Sequence, residues 1–374
     1  MKFTCKQSDI NESIQKLASI VNPRIPNPAL LNIWINASKQ NGLLLRATDS
    51  SRSIHYSLPN VEVEAEGTIS VPAKKLAESI RVLNKDDEIT FKEAKNGLNI
   101  SASGTKFTII GQDPKDFVPL KKASGEEIKV SGKELAKMIS LTQFAAAKEA
   151  GRYSLNGIYF DCVDNHLALV GSDGKRLAQV VSQNITLPNG KLPGTIILAN
   201  RSFDLLMWAC NKADEVTLIL SPQTVAIEAG EVYVDSLLVN GLYPDYKAIL
   251  PKPYEYQITM DRHELNDALK RVSQFVDVDK YEVLFSLSDN GTALLSTARP
   301  GEGDAESQIE VRDSTENMKL AFNPDHILEV LKVLELDDVI MSIKDVDSPV
   351  YIKEQQEGLS YYYLVVPSSP TDNV

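Results

Sequence analysis

The sequence predicts an α+β protein of three repeated domains, each built from two units of one helix and about four strands. Two observations carry this reading. First, six segments share an apolar residue, a small or polar cap and the opening of an amphipathic helix. They are Gln7-Ser8-Asp9-Ile10, Val71-Pro72-Ala73-Lys74-Lys75-Leu76, Val130-Ser131-Gly132-Lys133-Glu134-Leu135, Leu198-Ala199-Asn200-Arg201-Ser202-Phe203, Met260-Asp261-Arg262-His263-Glu264-Leu265 and Phe322-Asn323-Pro324-Asp325-His326-Ile327. Their starts fall roughly 60 to 68 residues apart, and self-similarity at a fixed period marks a repeat architecture. Second, each helix pattern is followed by runs of Ile, Val, Leu, Phe and Thr broken by Asn-Gly or Asp-Asn turns, the signature of antiparallel hairpins.

The elements follow in order. Ser131 with Glu134 and Asp261 with Glu264 have capping-box spacing, and Asn323-Pro324 offers an N-cap followed by proline at the first helical position. One hairpin register occurs three times: Leu30 to Ile35 then Leu43 to Ala47, Gly157 to Phe160 then Leu167 to Val170, and Val283 to Ser286 then Ala293 to Ser296. The second half-units match as well, at Glu88 to Lys92 with Gly97 to Ala102, Glu215 to Leu220 with Thr224 to Ala229, and Asp338 to Ile343 with Val350 to Glu354. Strands joined by short turns are antiparallel neighbours, so each domain is expected to hold two helices on sheets formed by both halves. Linkers are expected at Lys121 to Glu127 and at Pro251 to Tyr256, where Lys, Gly and Pro interrupt the pattern. Domains are accordingly expected at 1–122, 128–252 and 253–374.

The chain of 374 residues carries 39 Lys and Arg against 51 Asp and Glu. Such a balance argues against coating nucleic acid or anionic membrane by bulk attraction, so any basic function must be local. Cys5, Cys162 and Cys210 are odd in number and lack metal-ligand spacing, which predicts buried thiols of a reducing compartment rather than disulfides. The opening Met1-Lys2-Phe3-Thr4-Cys5-Lys6 runs straight into a strand pattern, and no stretch approaches the ~18 apolar residues of a membrane span. A cytoplasmic location without membrane contact is expected.

The second hairpin reads Leu169-Val170-Gly171-Ser172-Asp173-Gly174-Lys175-Arg176-Leu177-Ala178, and later Gly241-Leu242-Tyr243-Pro244-Asp245-Tyr246 leads to Ile249-Leu250-Pro251. With Arg152-Tyr153-Ser154-Leu155-Asn156-Gly157, the opening Met1-Lys2-Phe3 and the closing Tyr363-Leu364-Val365-Val366-Pro367, these motifs resemble the bacterial β sliding clamps over the full chain. The resemblance implies a DNA clamp fold: a head-to-tail homodimer closing a ring of six domains, helices lining the hole and antiparallel sheets outside. It implies a non-enzymatic processivity factor, nucleoid-associated during replication. Its partners would be double-stranded DNA, the replicative DNA polymerase catalytic subunit, the clamp loader complex, and other polymerases, ligase and mismatch-repair proteins carrying clamp-binding peptides. A sliding ring suits sequence-independent contacts from Lys and Arg to phosphates, with affinity that falls as salt rises.

Carried over residue by residue, the resemblance implies DNA contacts at Arg24, Arg152 and Tyr153. Lys74, Lys137, Lys148 and Arg201 lie on or beside the expected helices and are further candidates, the alternative being a solvated helix face. Glu149 stands where familiar clamps carry a neutral polar residue. The implied peptide pocket is lined by Leu155, Ser172, Gly174, Lys175, Arg176, Leu177, Pro244, Ile249, Val365, Val366 and Pro367. Such aliphatic walls with a few polar hooks suit a Leu or Phe anchor, whose burial is worth roughly 1.5 to 3 kcal/mol. Ser368 replaces a Met, Ala248 a frequent Arg, and a polar tail runs from Ser368 to Val374, which alters peptide preference. Ring closure would use the strand Thr105-Lys106-Phe107-Thr108-Ile109-Ile110, with Phe107 and Ile109 near Val272 and Phe275 of another chain. An apolar edge strand left bare invites aggregation, so a partner is expected there.

His55, His166, His263 and His326 are scattered without metal-ligand spacing, and Gly174-Lys175 and Gly132-Lys133 lack the remainder of a phosphate loop. No cofactor, metal or catalytic residue is expected. Asp173 and Asp245 sit beside Gly or Pro, where Asp bonds its own backbone. A cleft hydrolase or transferase would have to account for the threefold repeat. A repeat-built protein-interaction scaffold that does not encircle DNA is the alternative function.

Overall fold

The computed structural model describes every residue except 23, 25, 119, 120, 149–152, 251–255, 278, 279, 314–316 and 369–374, together with the side chain of Tyr153. The first third runs β1 (Lys2–Lys6), α1 (Gln7–Ile20), β2 (Asn32–Ser38), β3 (Gly42–Thr48), β4 (Arg52–Leu58), β5 (Glu62–Ala65), β6 (Gly67–Pro72), α2 (Ala73–Arg81), β7 (Glu88–Ala94), β8 (Gly97–Ala102) and β9 (Thr105–Ile110). The middle third runs β10 (Glu126–Ser131), α3 (Gly132–Gln143), β11 (Gly157–Val163), β12 (His166–Ser172), β13 (Arg176–Thr186), β14 (Ile196–Ala199), α4 (Phe203–Cys210), β15 (Glu215–Leu220), β16 (Thr224–Ala229) and β17 (Val232–Leu237). The last third repeats it: β18 (Tyr256–Asp261), α5 (Arg262–Val272), β19 (Val283–Ser288), β20 (Thr292–Arg299), β21 (Gly303–Glu310), β22 (Met318–Phe322), α6 (Pro324–Leu331), β23 (Asp338–Ile343), β24 (Val350–Gln356) and β25 (Leu359–Val365).

Local chemistry explains the helix starts. Ser131 Oγ accepts from the Glu134 N–H at 3.3 Å, Asp261 Oδ1 from the Glu264 N–H at 2.8 Å, and Asn323 Oδ1 from the Asp325 N–H at 2.9 Å, each satisfying a donor that the first turn leaves free. Helix α1 buries Ile10, Ser13, Ile14 and Leu17, the i, i+3, i+4, i+7 stripe of a helix lying on a sheet. Strands alternate in burial as half-covered sheets require, and Phe3 of β1 stacks on Phe91 of β7 at 4.5 Å.

Strand pairing is antiparallel throughout, in sheets that cross the sequence repeats. One eight-stranded sheet has the order β10-β15-β16-β17-β4-β3-β2-β6, the other β14-β11-β12-β13-β25-β24-β23-β18. A five-stranded sheet, β5-β1-β7-β8-β9, and a four-stranded one, β21-β20-β19-β22, complete the set. The chain divides into two compact units, 1–136 with 201–238, and 137–200 with 239–374. In the first unit the β4:β17 seam runs from Tyr56 opposite Val232 to Arg52 opposite Ser236. In the second, the β13:β25 seam runs from Arg176 opposite Val365 to Ser182 opposite Leu359.

The segment before β10 lies on the sheet of the first unit. The Ala123 N–H donates to Tyr233 Oη at 2.5 Å, the Lys122 ammonium sits 5.1 Å from the Tyr233 ring and pairs with Glu228, and the buried His55 meets the Tyr233 ring edge-on. Arg46 stands cross-strand from His55 and over the Trp34 ring. The Lys121 to Glu127 stretch, expected as a linker, is thus tied down by an aromatic and cationic ladder.

Candidate partner groove, basic contacts and interface edges

The turn between β12 and β13 organises the groove. Gly174 has φ +89°, a conformation open to glycine, and lets Asp173 Oδ1 accept from the N–H groups of Lys175 and Arg176 at 2.9 and 3.0 Å. Ser172 Oγ donates to the Arg176 carbonyl at 2.7 Å and accepts from the Gly174 N–H. Gly171 must be small, because a Cβ there would lie 2.2 Å from the Thr142 carbonyl oxygen. The Arg176 guanidinium is 5 % exposed. It donates to Asp173 Oδ2 at 3.0 Å, to the Phe144 carbonyl at 2.8 Å and to Glu329 of α6, and lies 5.6 Å from the Phe144 ring.

Beyond the turn, Val170, Leu177, Tyr246, Tyr351 and Leu364 form one apolar cluster, with Tyr159, Tyr243 and Leu250 against it. Tyr246 Oη donates to Asp161 at 2.6 Å and accepts from Gln179 Nε2 at 3.2 Å, while Tyr351 Oη donates to the Ile249 carbonyl at 2.7 Å. Burial, then the hydrogen bond to the Asp161 carboxylate, pushes the Tyr246 phenol far above its ordinary range, so it remains a neutral donor.

Of the expected pocket residues, Ser172, Gly174, Lys175, Arg176 and Leu177 share the turn, and the Val366 N–H donates to the Lys175 carbonyl at 2.9 Å, which brings the chain's closing motif beside it. Ile249, Val366 and Pro244 are exposed and Pro367 is half-buried. Leu155, Arg176, Leu177 and Val365 are buried, so their side chains brace the floor and do not form an open wall. For Val365 the reason is strand alternation: Leu364 joins the Tyr246 cluster and Val365 takes the opposite face. An open cavity of about 620 Å³ lies further along the same strand pair, lined by Gln179, Val181, Ser360 and Tyr362 with Cys162, Lys247 and Leu250 among its other walls. Neither this extension nor Leu242, 84 % exposed, was expected from the sequence. Strand alternation could have found Gln179 and Val181, two and four residues beyond Leu177.

The basic candidates are spread over both units. In the first, Arg24, Lys74 and Arg201 are exposed. In the second, Lys137 pairs with Glu335 at 2.7 Å and Lys148 with Glu329 at 3.4 Å, so each of these two cations already faces a carboxylate. Arg152 and Glu149 lie outside the described residues; Tyr153 is described only by its backbone in a 3-10 turn, Tyr153–Leu155. A pair that the sequence pattern hid is Lys16 of α1 and Lys212 after α4, whose ammonium groups lie 5.6 and 5.0 Å from the Trp208 ring. They come from segments almost two hundred residues apart.

The interface candidates require correction. Strand β9 has one neighbour and β21 likewise, so both are sheet edges. Ile109 is 6 % exposed because it faces its own core, whereas Ile110 is 75 % exposed and is the apolar side chain that β9 offers. Val272 is fully buried on the inner stripe of α5, and Phe275 is 37 % exposed beside the start of β21, with ring atoms 3.4 Å from where a Cβ on Gly303 would stand. Phe107 is partly exposed. Phe107, Ile110 and Phe275 are therefore the accessible members, and Ile109 and Val272 are core.

Among the described residues no cluster of His, Cys, Asp and Glu could hold a metal ion, and no helix is long and apolar enough to cross a membrane. Repeated half-sheets mated edge to edge, with an apolar groove at a strand end, define a clamp-type repeat architecture.

Comparison with known proteins agrees. Family models of the DNA polymerase III beta subunit match along the chain, the N-terminal domain at residues 1–121, the central domain at 129–245 and the C-terminal domain at 247–368. The beta sliding clamps of Chlamydia pneumoniae and Pseudomonas aeruginosa are each 26 % identical, over 98 % of this chain and 98 and 99 % of theirs. Solved sliding clamps from Pseudomonas aeruginosa and Bartonella birtlesii, both bound to griselimycin, superpose with TM-scores of 0.91 and 0.92 at 25 and 27 % identity, covering 99 % of this chain and all of theirs. The chain belongs to the DNA polymerase III beta subunit family, and its function is that of a DNA sliding clamp in replication, a processivity factor and not an enzyme.

Proposed function

We propose that two chains join head to tail, β9 of each against β21 of the other, into a ring that encloses duplex DNA and tethers the polymerase. One observation carries this reading. Each third contributes a first half-sheet ending at an edge, β4, β13 or β21, and a second ending at β17, β25 or β9. Within the chain β4 mates with β17 and β13 with β25, which leaves β21 and β9 as the unmatched pair of the same kind. Charge supports the match, since β21 carries Asp304, Glu306 and Glu310 while β9 carries Lys106. The repeats serve as domains 1–122, 128–252 and 253–374, and Arg24, Lys74, Lys137, Lys148, Arg152, Tyr153 and Arg201 as sequence-independent contacts to DNA.

In this reading the groove of Leu177, Ile249, Leu364, Val366 and Pro367 receives apolar anchors of short partner peptides. Their carriers are the replicative polymerase, the clamp loader, other polymerases, ligase and mismatch-repair proteins, in the cytoplasm at the nucleoid. The test is topological. Protein loaded on nicked circular DNA is expected to stay bound through gel filtration and to be lost when the circle is cut once; equal retention on both would leave a protein-binding scaffold or an ordinary DNA binder.

Closure has its own test. Ile110→Asp places a charge on a side chain already exposed in the monomer, so folding should change by no more than about 0.5 kcal/mol. Dimerisation should weaken by roughly a hundredfold, because the new carboxylate faces the acidic β21. Sedimentation velocity reads both species, and a dimer of undiminished affinity would exclude the β9:β21 seam.

A further inference from the structure

We infer that phosphate contact at Lys148 and peptide binding at the Leu177 groove are coupled, each tightening the other, through the Glu329 carboxylate and the Ala147 N–H. The inference rests on the readings of both sites proposed above and names the regulation of the groove. Two separate connections run from Lys148 to the groove. Through its side chain, Lys148 Nζ lies 3.4 Å from Glu329 Oε1, while Glu329 Oε2 accepts from the Arg176 guanidinium. Through its backbone, the preceding Ala147 N–H is shared between the carbonyls of Leu155 at 2.9 Å and Ser172 at 3.2 Å, and the Ala147 carbonyl accepts from Asn200 Nδ2 at 2.7 Å.

The direction follows from what the two cations compete for. With no phosphate present, Lys148 and Arg176 divide one carboxylate. Lys148, with 73 % of its side chain exposed, is the partner that can leave; Arg176, 5 % exposed and held by Asp173 and Phe144, is not. A phosphate that draws Lys148 away leaves Glu329 wholly to Arg176, which braces the Asp173 turn and the first residues of β13. Fixing Lys148 also orders Ala147, whose N–H joins Leu155 to Ser172 across the groove floor. A floor ordered beforehand costs a peptide less to engage, and linkage makes the effect mutual. Because the pair that is exchanged is exposed, the gain is modest, roughly two- to fivefold.

Fluorescence anisotropy of a labelled short peptide ending in Leu-Phe, titrated with the full chain at low salt with and without a saturating short DNA duplex, tests this. Retardation of labelled duplex follows DNA binding independently. Wild type is expected to bind the peptide roughly two- to fivefold more tightly with duplex present. Lys148→Ala and Glu329→Gln should abolish that gain, and Glu329→Asp should restore part of it. A Glu329 that serves only to hold the fold would change affinity equally with and without duplex, and that result would overturn the coupling, as would a wild type indifferent to duplex while both ligands bind. Absence of peptide binding under every condition would instead remove the groove reading itself, and the coupling with it. Thermal unfolding of each variant separates these outcomes from loss of the fold.

Discussion

Arg176→Ala should lower the unfolding free energy by about 3 to 5 kcal/mol, the range for removing one partner of a buried ion pair. The side chain is 5 % exposed and faces Asp173 and Glu329, both themselves mostly covered, so its loss takes the guanidinium donors from Asp173 Oδ2 and the Phe144 carbonyl and leaves Glu329 with only the exposed Lys148. Arg176→Lys should recover only a minor part, since an ammonium cannot reproduce the fork that reaches Asp173, Glu329 and Phe144 together. Urea unfolding measures both. A loss below about 1 kcal/mol would place these contacts with ordinary surface pairs and withdraw Arg176 as the brace of the groove.

The second large effect is one of pH. Burial, then the neighbouring charges of Arg46 and Lys122, pushes the His55 imidazole down to about 4, and its Nε2 has no hydrogen-bond partner among the described residues. Its ordinary value is 6.5, so between about 6.5 and 4 the unfolded chain takes up a proton that the folded chain refuses. The stability that neutral His55 confers is complete above about 6.5 and is lost as pH falls toward 4, by about 3 kcal/mol in all. Nearby Asp235 works in the opposite sense. Burial raises its carboxyl to about 6, so acidification between about 6 and 3.8 favours the fold and masks part of the histidine's effect. The difference between wild type and His55→Phe isolates it: the wild type should lose about 3 kcal/mol relative to the variant from pH 7 to pH 4. A constant difference would mean that His55 protonates in place, with water or a carboxylate admitted beside it.

Much of this fold was legible in the sequence because it repeats. Ser131, Asp261 and Asn323 mark helix starts by hydrogen bonds made within three residues, and the hairpins are set by turns as short. Local chemistry of that kind is visible in a string of residues. The seams β4:β17 and β13:β25 were not, because what specifies them is the matching of two distant edges. The site divides in the same way. The Ser172-Asp173-Gly174 turn is legible as turn chemistry, whereas Arg176 and Val365, expected among the residues lining the pocket, both face inward. Strand alternation predicts the face of Val365, but it does not tell which face another element covers. Ile109 and Ile110 illustrate the limit, being adjacent, equally apolar and oppositely placed. Trp208 stands four residues before Lys212, so that half of the pair is local, but nothing near Lys16 announces a ring 192 residues further on.

The interleaving of the sheets also bears on where such a gene could begin. If the β9:β21 joint is of the same kind as the two internal seams, a chain opened in the segment between β9 and β10 and joined from its old end to its old start would break no pairing. It would carry β21 and β9 as an internal seam and present β4 and β17 as its free edges. The middle third on its own would bare both β13 and β17, which makes it the poorest choice for expression as a fragment. Which contact is left for two molecules to make would then depend on where the chain is opened, with charge refining the match at that edge.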